Sequence, residues 1–193
     1  MIIVAARAHM GLSAGWEAPL WFATPGSRPA YEPSFVRTNW QLEQGREYEL
    51  LTRAVGLADL SSFGKFELTG SEARRLLDLA TANTVPLAGR TALCHMLTRT
   101  GTVRGGPEGG VQIILRVLQV YSELTVTCLE DDRFLILTGG GSELHDLRRL
   151  EDIARAEKLS VKLDNVTERL GTLTVAGPRS RDLMARLTDQ VSR

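Results

Sequence analysis

Apolar residues recur at helical spacing in several parts of the chain. Residues 44–56 and 142–158 place apolar side chains three or four positions apart, which is typical of helices that bury one side. A third segment, residues 71–83, opens at Ser71, a residue type favoured just before a helix. Its predicted buried stripe is Ala73, Leu76, Leu77 and Ala80. The dipeptide at 177–178, Gly-Pro, predicts the start of a further helix, because proline suits the first helical position.

Finer features of two of these helices also follow from spacing. In the helix at 44–56 the spacing places Tyr48, Leu51 and Val55 on one face. In the helix at 142–158, Ser142 is the predicted cap. Glu151 and Arg155, four residues apart, are expected to form an ion pair.

Alternating apolar and polar residues predict strands between the helices. The segments 91–98 and 123–138 alternate in this way, and the acidic run Glu130-Asp131-Asp132 predicts the polar tip of a hairpin. Shorter strand-like segments lie within 57–70 and 160–177. Helices and antiparallel strand pairs follow one another without a repeated strand-helix-strand order. The pattern therefore predicts an α+β fold, with antiparallel or mixed sheets and helices packed on them.

The first part of the chain, residues 1–43, lacks this regular pattern. It is rich in aromatic residues, and prolines at 19, 25, 29 and 33 interrupt any helix. Such a segment is too apolar for a free linker. We predict an irregular connecting arm that packs as extended coil along another surface, followed by one domain over residues 44–193.

Residues 104–120 do not fit the domain pattern. The segment begins with four glycines and a proline in seven residues and then becomes apolar. If it continued into the strand that ends near Glu130, that strand would far exceed the usual five or six residues. We interpret 104–120 as an insertion.

Composition and charge exclude several classes of protein. The chain has 193 residues, 43% of them hydrophobic, with 23 basic and 23 acidic residues. The neutral balance is unlike that of a nucleic-acid-binding protein, and no apolar run has the length of a membrane helix. The two cysteines, Cys94 and Cys128, lie in apolar strand-like segments and are predicted to be buried free thiols, which suggests a reducing compartment.

Few polar residues stand out as candidates for chemistry. The sequence contains no phosphate-binding glycine motif and no CxxC or HExxH spacing, so no metal site is predicted. His95 is flanked by apolar residues and is expected in the core, whereas His145 is expected to be exposed. Asp59 is predicted to cap a turn. Glu123 interrupts an alternating strand, so its carboxylate either faces solvent or serves a site.

A set of segments in a fixed order resembles a known family. The segments are GWEAPLWF, SFVRTNW, VGLADLSSFGKFELTG, LLDLATANTVP, HMLT, ELTVT, LILTGGGSELHDLR and LGTLTVAGPRSRDL. Together they resemble the dimethylglycine dehydrogenases, and more specifically their C-terminal half, which is related to the glycine-cleavage T proteins (aminomethyltransferases). The resemblance covers about residues 15–187. It implies an incomplete aminomethyltransferase-type folate-binding fold.

The resemblance also implies a function. Enzymes of this family oxidise an N-methyl group of dimethylglycine on FAD in an N-terminal domain. The one-carbon unit then passes to tetrahydrofolate in the C-terminal domain. By this resemblance the present chain is the first part of the folate-binding domain, its partners are folate and the one-carbon unit derived from dimethylglycine, and FAD belongs to the missing N-terminal domain. The chain is expected to be inactive alone. The implied compartment is the mitochondrial matrix, and the choice between dimethylglycine and sarcosine stays open.

The site implied by the resemblance lies in YSELTVT. An acidic residue of the aminomethyltransferase relatives stands here and faces the folate amine that accepts the carbon. Carried over to this chain, that role falls on Glu123 as the catalytic residue, with Leu124 and Thr125 beside it as cofactor-binding residues. A carboxylate at this place could orient the amine, accept its proton and stabilise a developing iminium cation.

Two other interpretations remain open. The chain could be a non-catalytic regulatory or interaction module, similar to the regulatory subunit of pyruvate dehydrogenase phosphatase. It could also resemble a stand-alone aminomethyltransferase. The tryptophan-rich arm disfavours this last interpretation, because stand-alone transferases lack it.

Overall fold

The computed structural model describes residues 7–13, 15–98 and 120–188. In chain order its strands and helices are β1 (Ala8–Ser13), β2 (Trp16–Phe22), α1 (Gln41–Arg53), β3 (Gly56–Asp59), β4 (Gly64–Thr69), α2 (Ala73–Ala80), β5 (Thr91–Leu97), β6 (Val120–Glu130), β7 (Arg133–Thr138), α3 (Glu143–Ala156), β8 (Lys162–Asn165), β9 (Leu173–Ala176) and α4 (Ser180–Met184). The chain divides into two compact units. One comprises residues 1–62 and 171–193, and the other residues 63–170.

The unit at 63–170 is built on a five-stranded sheet. Its strand order is β5-β6-β7-β4-β8, and neighbouring strands run antiparallel throughout. The hairpin between β6 and β7 turns at Asp131-Asp132, as the acidic run predicts. The predicted α+β class with antiparallel sheets and packed helices is confirmed.

One side of this sheet forms the hydrophobic core together with α2 and α3. The predicted stripe of α2 is confirmed, since Ala73, Leu76, Leu77 and Ala80 are all buried. Alternate residues of β4, β6 and β7 point to the same side and complete the core: Phe66, Leu68, Leu124, Val126, Cys128, Phe134 and Ile136. The period-two alternation of the strands and the helical spacing of α2 thus bury one continuous apolar surface.

The unit at 1–62 and 171–193 contains two small sheets. Strands β3 and β9 pair with each other, and β1 pairs with β2 in a hairpin. Over residues 8–22 this hairpin stands in place of part of the irregular coil predicted for residues 1–43. Pro19 lies at a register irregularity of a two-stranded ribbon, where a missing backbone N–H is tolerated.

Helix α1 contains no buried residue. Tyr48 and Leu51, predicted to share an apolar face, are both exposed, and Val55 lies beyond the helix end at Arg53. The predicted pair of Glu151 with Arg155 is wrong, because Arg155 instead bonds Asp152 at 2.7 Å. Helix α2 begins at Ala73, and no side-chain hydrogen bond caps it.

Candidate functional site

Glu123 lies on the side of the sheet opposite to the core. Along β6 the buried residues are Leu124, Val126 and Cys128, and the alternate residues point the other way. The Glu123 side chain retains 58% of its exposure. We call this side of β5 and β6 the open face.

The three residues implied by the resemblance do not share one surface. Thr125 is on the open face with Glu123 and pairs in register with Leu93 on β5 and Leu137 on β7. Leu124 points into the core and is fully buried. A ligand on the open face would therefore meet the side chains of Glu123 and Thr125, but not that of Leu124.

His95 is the direct neighbour of Glu123 across the sheet. The two residues are register partners on β5 and β6, and His95 Nε2 lies 3.3 Å from Glu123 Oε2. The His95 side chain is 34% exposed. The prediction of a core histidine is wrong, because the strand alternation that buries Cys94 and Met96 turns His95 to the open face.

A short loop after α2 holds His95 from its other side. Asn83 Oδ1 accepts the His95 backbone N–H at 2.7 Å and lies 3.3 Å from His95 Nδ1. The N–H of Ala82 donates to the His95 carbonyl at 2.9 Å. Together these contacts form a chain from Asn83 through His95 to Glu123.

The residue before Glu123 is fixed by a buried carboxylate. Ser122 Oγ donates to Asp146 Oδ2 at 2.7 Å, and the hydroxyls of Ser142 and Thr138 bond the same oxygen. Asp146 is completely buried in the first turn of α3, where the helix dipole favours a negative charge. The three hydroxyls satisfy it and join β6, β7 and α3 beside Glu123.

Tyr121 leaves the strand alternation just before this point. The register of β5 with β6 shifts between Met96 and Leu97. Tyr121 packs against the core and stacks on the ring of His145 at 4.2 Å between centroids. Burial and then the nearby Asp146 charge raise the pKa of Tyr121.

Several simpler predictions are confirmed. His145 is exposed, and Asp59 Oδ1 accepts the N–H of Ser61 at 2.9 Å, as expected of a turn cap. Cys94 and Cys128 are buried free thiols, and burial raises the pKa of Cys94.

Sequence reasoning missed Asn83 and Asp146 as members of this site. Asp146 had a usable signal, since it follows a predicted helix start at Ser142 by four residues in the positive first turn. Ser142 directs its hydroxyl to Asp146 rather than capping a helix N–H. Asn83 is brought to His95 by loop packing over a distance of 12 residues, and no local pattern marks it.

A groove elsewhere on the described part of the chain contains none of the predicted site residues. A shallow groove at the end of α3 is lined in part by Glu151, Arg155, Lys158 and Lys162. Within residues 7–13, 15–98 and 120–188, no cluster of three or more acidic, histidine or cysteine residues is placed to hold a metal. No helix in these ranges combines the length and apolar character needed to cross a membrane.

The chain is similar to part of larger curated proteins. It is 43% identical over 188 residues to mitochondrial dimethylglycine dehydrogenase of Rattus norvegicus, covering 97% of this chain and 20% of the relative. The human mitochondrial enzyme is 43% identical over 184 residues, and these cover 95% of this chain and 19% of that protein. A 4-methylaminobutanoate oxidase (formaldehyde-forming) of Paenarthrobacter nicotinovorans is 28% identical, with 91% and 19% covered. The chain thus spans about a fifth of these relatives.

A solved structure shares the fold. The glycine cleavage system aminomethyltransferase T of Bartonella henselae matches with a TM-score of 0.67 and 18% identity, covering 98% of this chain and 43% of that one. This likeness confirms the predicted aminomethyltransferase-type fold.

The family model for the GCVT N-terminal domain matches residues 1–106 and 118–193. The interval between the matches lies inside the predicted insertion at 104–120, which falls almost wholly outside the described residues. The insertion stays a prediction. Because the model matches nearly the whole chain, the chain belongs to the family defined by the GCVT N-terminal domain.

Proposed function

We propose that this chain is the tetrahydrofolate-binding part of an enzyme like dimethylglycine dehydrogenase, and that it passes the one-carbon unit from dimethylglycine oxidation to tetrahydrofolate. The observation that carries the proposal is the Glu123 carboxylate on the open face of the sheet, at the position where the resemblance places the acidic residue that faces the folate amine. Similarity to dimethylglycine dehydrogenases supports the substrate class.

The residues of the open face suit a ring that carries amine groups. Among the described residues, the polar partner of the Glu123 carboxylate is His95, through Oε2, which leaves Oε1 to accept a hydrogen bond. Leu93 and Leu137 flank Thr125 in register and supply apolar surface beside the carboxylate. An acceptor oxygen next to apolar side chains fits an aromatic amine donor.

Glu123 has a defined role in this proposal. Tetrahydrofolate would supply the amine nitrogens that receive the carbon. Glu123 Oε1 accepts the amine hydrogen, orients that nitrogen, and takes its proton as the new carbon–nitrogen bond forms. Its negative charge stabilises the cationic iminium that approaches. The proton can then return to the amine that leaves, so that the carboxylate is restored.

Further parts of the proposal concern the protein around this domain. Flavin-dependent oxidation belongs to another domain of the full enzyme, and residues 1–43 act as the arm that connects to it, with residues 44–193 as the folate-binding part. The proposed compartment is the mitochondrial matrix, and the proposed process is choline and glycine one-carbon catabolism. The names of the two mammalian relatives, which include the word mitochondrial, support this compartment.

Binding of tetrahydrofolate by the 193-residue chain tests the proposal. We expect saturable binding by isothermal titration calorimetry, and an affinity about tenfold lower for Glu123→Gln, because a hydrogen bond to a charged acceptor is worth about 1.5–3 kcal/mol. Glu123→Asp should lie between the two.

Glu130→Gln is the matched control. Glu130 ends the same strand, is exposed and pairs with Arg133 at the hairpin tip. Its substitution should leave the affinity unchanged. An affinity of Glu123→Gln equal to that of the wild type, or no binding by the wild-type chain, would contradict the proposal.

A further inference from the structure

The backbone of His95 is turned away from β6. Its N–H donates to Asn83 and its carbonyl accepts from Ala82, so neither group bonds the opposite residue Glu123. His95 and Glu123 therefore form the type of antiparallel pair without mutual backbone hydrogen bonds. In such pairs the side chains come closest to each other.

The contact with the backbone fixes the orientation of the Asn83 amide. A backbone N–H can only donate, so the Asn83 atom 2.7 Å from the His95 nitrogen must be the carbonyl oxygen. The same oxygen lies 3.3 Å from His95 Nδ1. Because this oxygen can only accept, Nδ1 must carry the hydrogen that joins them.

This assignment determines what happens at the other ring nitrogen. With the hydrogen on Nδ1, the Nε2 atom of a neutral ring is an acceptor, and so is an ionised Glu123 oxygen. The 3.3 Å contact between Nε2 and Oε2 becomes a hydrogen bond only when one proton lies between them. Either an imidazolium faces a carboxylate, or a neutral ring faces a carboxylic acid.

We propose that His95 is a positioning residue for Glu123: Asn83 holds the hydrogen on Nδ1, and the His95–Glu123 pair shares one proton that binds Oε2 and directs Oε1 to the open face. The loop at 81–83 thereby controls the Glu123 carboxylate indirectly, through the His95 ring. The functional part of this inference rests on the proposed role of Glu123, whereas the proton arrangement stands without it.

The shared proton has a consequence for proton transfer. While the imidazolium bonds Oε2, the other oxygen stays an acceptor for an amine hydrogen. When Glu123 Oε1 takes that proton, the ring keeps its own, and the acquired proton stays on the side that faces the ligand. His95 therefore keeps the proton available for return to a leaving amine.

Nitrogen-15 NMR of the histidine rings tests directly which ring nitrogen of His95 carries the hydrogen. In the 193-residue chain with the ring in its neutral form, the long-range proton–nitrogen pattern of His95 should show Nδ1 protonated and Nε2 bare. Most free histidines have the opposite arrangement. Asn83→Ala should return His95 to the ordinary form, and Asn83→Asp, which keeps an acceptor oxygen, should restore the Nδ1 hydrogen.

The same spectra provide a control and show the results that would overturn the inference. His145 is exposed and bonds a different carboxylate, so its spectrum should not respond to Asn83→Ala. A bare Nδ1 in neutral wild-type His95, or a His95 pattern that Asn83→Ala leaves unchanged, would overturn the inference. Unaltered amide spectra of the remaining chain would show that each variant is folded.

Affinity for tetrahydrofolate separates this inference from the proposed function. We expect His95→Gln to weaken binding about threefold to tenfold. Combined with Glu123→Gln, it should add almost no further loss, because the two residues act as one unit. Additive losses would overturn the positioning role while leaving the proposed function intact. Absence of wild-type binding would overturn the proposed function, and with it the role in ligand positioning, whereas the NMR result would still decide whether Asn83 holds the hydrogen on Nδ1 of His95.

Discussion

The two sides of strand β6 have different neighbours although their residues alternate along one segment. On one side Leu124, Val126 and Cys128 are buried against helices. On the other side Glu123 and Thr125 remain partly or largely exposed. Neighbouring residues of β6 therefore have different roles. Substitutions on the buried side should change the free energy of unfolding, and substitutions on the open face should change ligand binding.

The largest expected effect is on the core side. Leu124→Ala should lower the free energy of unfolding by about 2–5 kcal/mol, because it removes buried methyl groups and leaves a cavity. Urea denaturation of the chain measures it. Leu93→Ala, the control on the open face, removes the same atoms from an exposed side chain and should cost under about 1 kcal/mol. Equal losses would break the distinction between the two sides.

Next in size is the buried carboxylate between the strands and α3. Asp146→Ala should destabilise the chain by about 2–3 kcal/mol, because the hydroxyls of Ser122, Thr138 and Ser142 lose their common acceptor. Asp152→Ala on the same helix removes an exposed carboxylate paired with Arg155 and should cost under about 0.5 kcal/mol. Thermal unfolding compares the two variants, and similar midpoints would contradict the assigned role of Asp146.

The smallest expected effect is on the open face. Thr127→Val should cost about 0.5–1 kcal/mol, since Thr91 and Thr127 share a hydroxyl hydrogen bond of 2.9 Å across β5 and β6. Thr125→Val, two residues earlier on the same side, should be nearly neutral for stability. If Thr125→Val instead proved as costly as Leu124→Ala in denaturant unfolding, this side of β6 would not be open.

The core side could be predicted from the sequence because its signals are local. The helical spacing of Ala73, Leu76, Leu77 and Ala80 and the strand alternation around an acidic turn each lie within one short segment. Within the alternating strand, the charged residue Glu123 stands out as an interruption of the pattern. These patterns identify the apolar side of a helix or strand. The burial of the predicted stripe of α2 confirms that identification.

Other features depend on contacts that local patterns do not encode. Apolar spacing predicts an apolar face on a helix, but it does not say whether other residues cover that face. In α1 the predicted face is exposed. The prolines of residues 1–43 indicate coil rather than the hairpin of β1 and β2, although a ribbon can hold a proline such as Pro19 at a register irregularity. The chain from Asn83 to Glu123 joins three separate segments, and only the folded structure brings them together.

The loop that holds His95 also bears on association between molecules. Strand β5 is an edge of the five-stranded sheet, and the unpaired backbone groups of an edge can recruit a strand from another chain. Ala82 and Asn83 occupy both backbone groups of His95 in the middle of that edge. The loop thus blocks continuous pairing along β5 and protects this edge of the sheet against intermolecular strand addition.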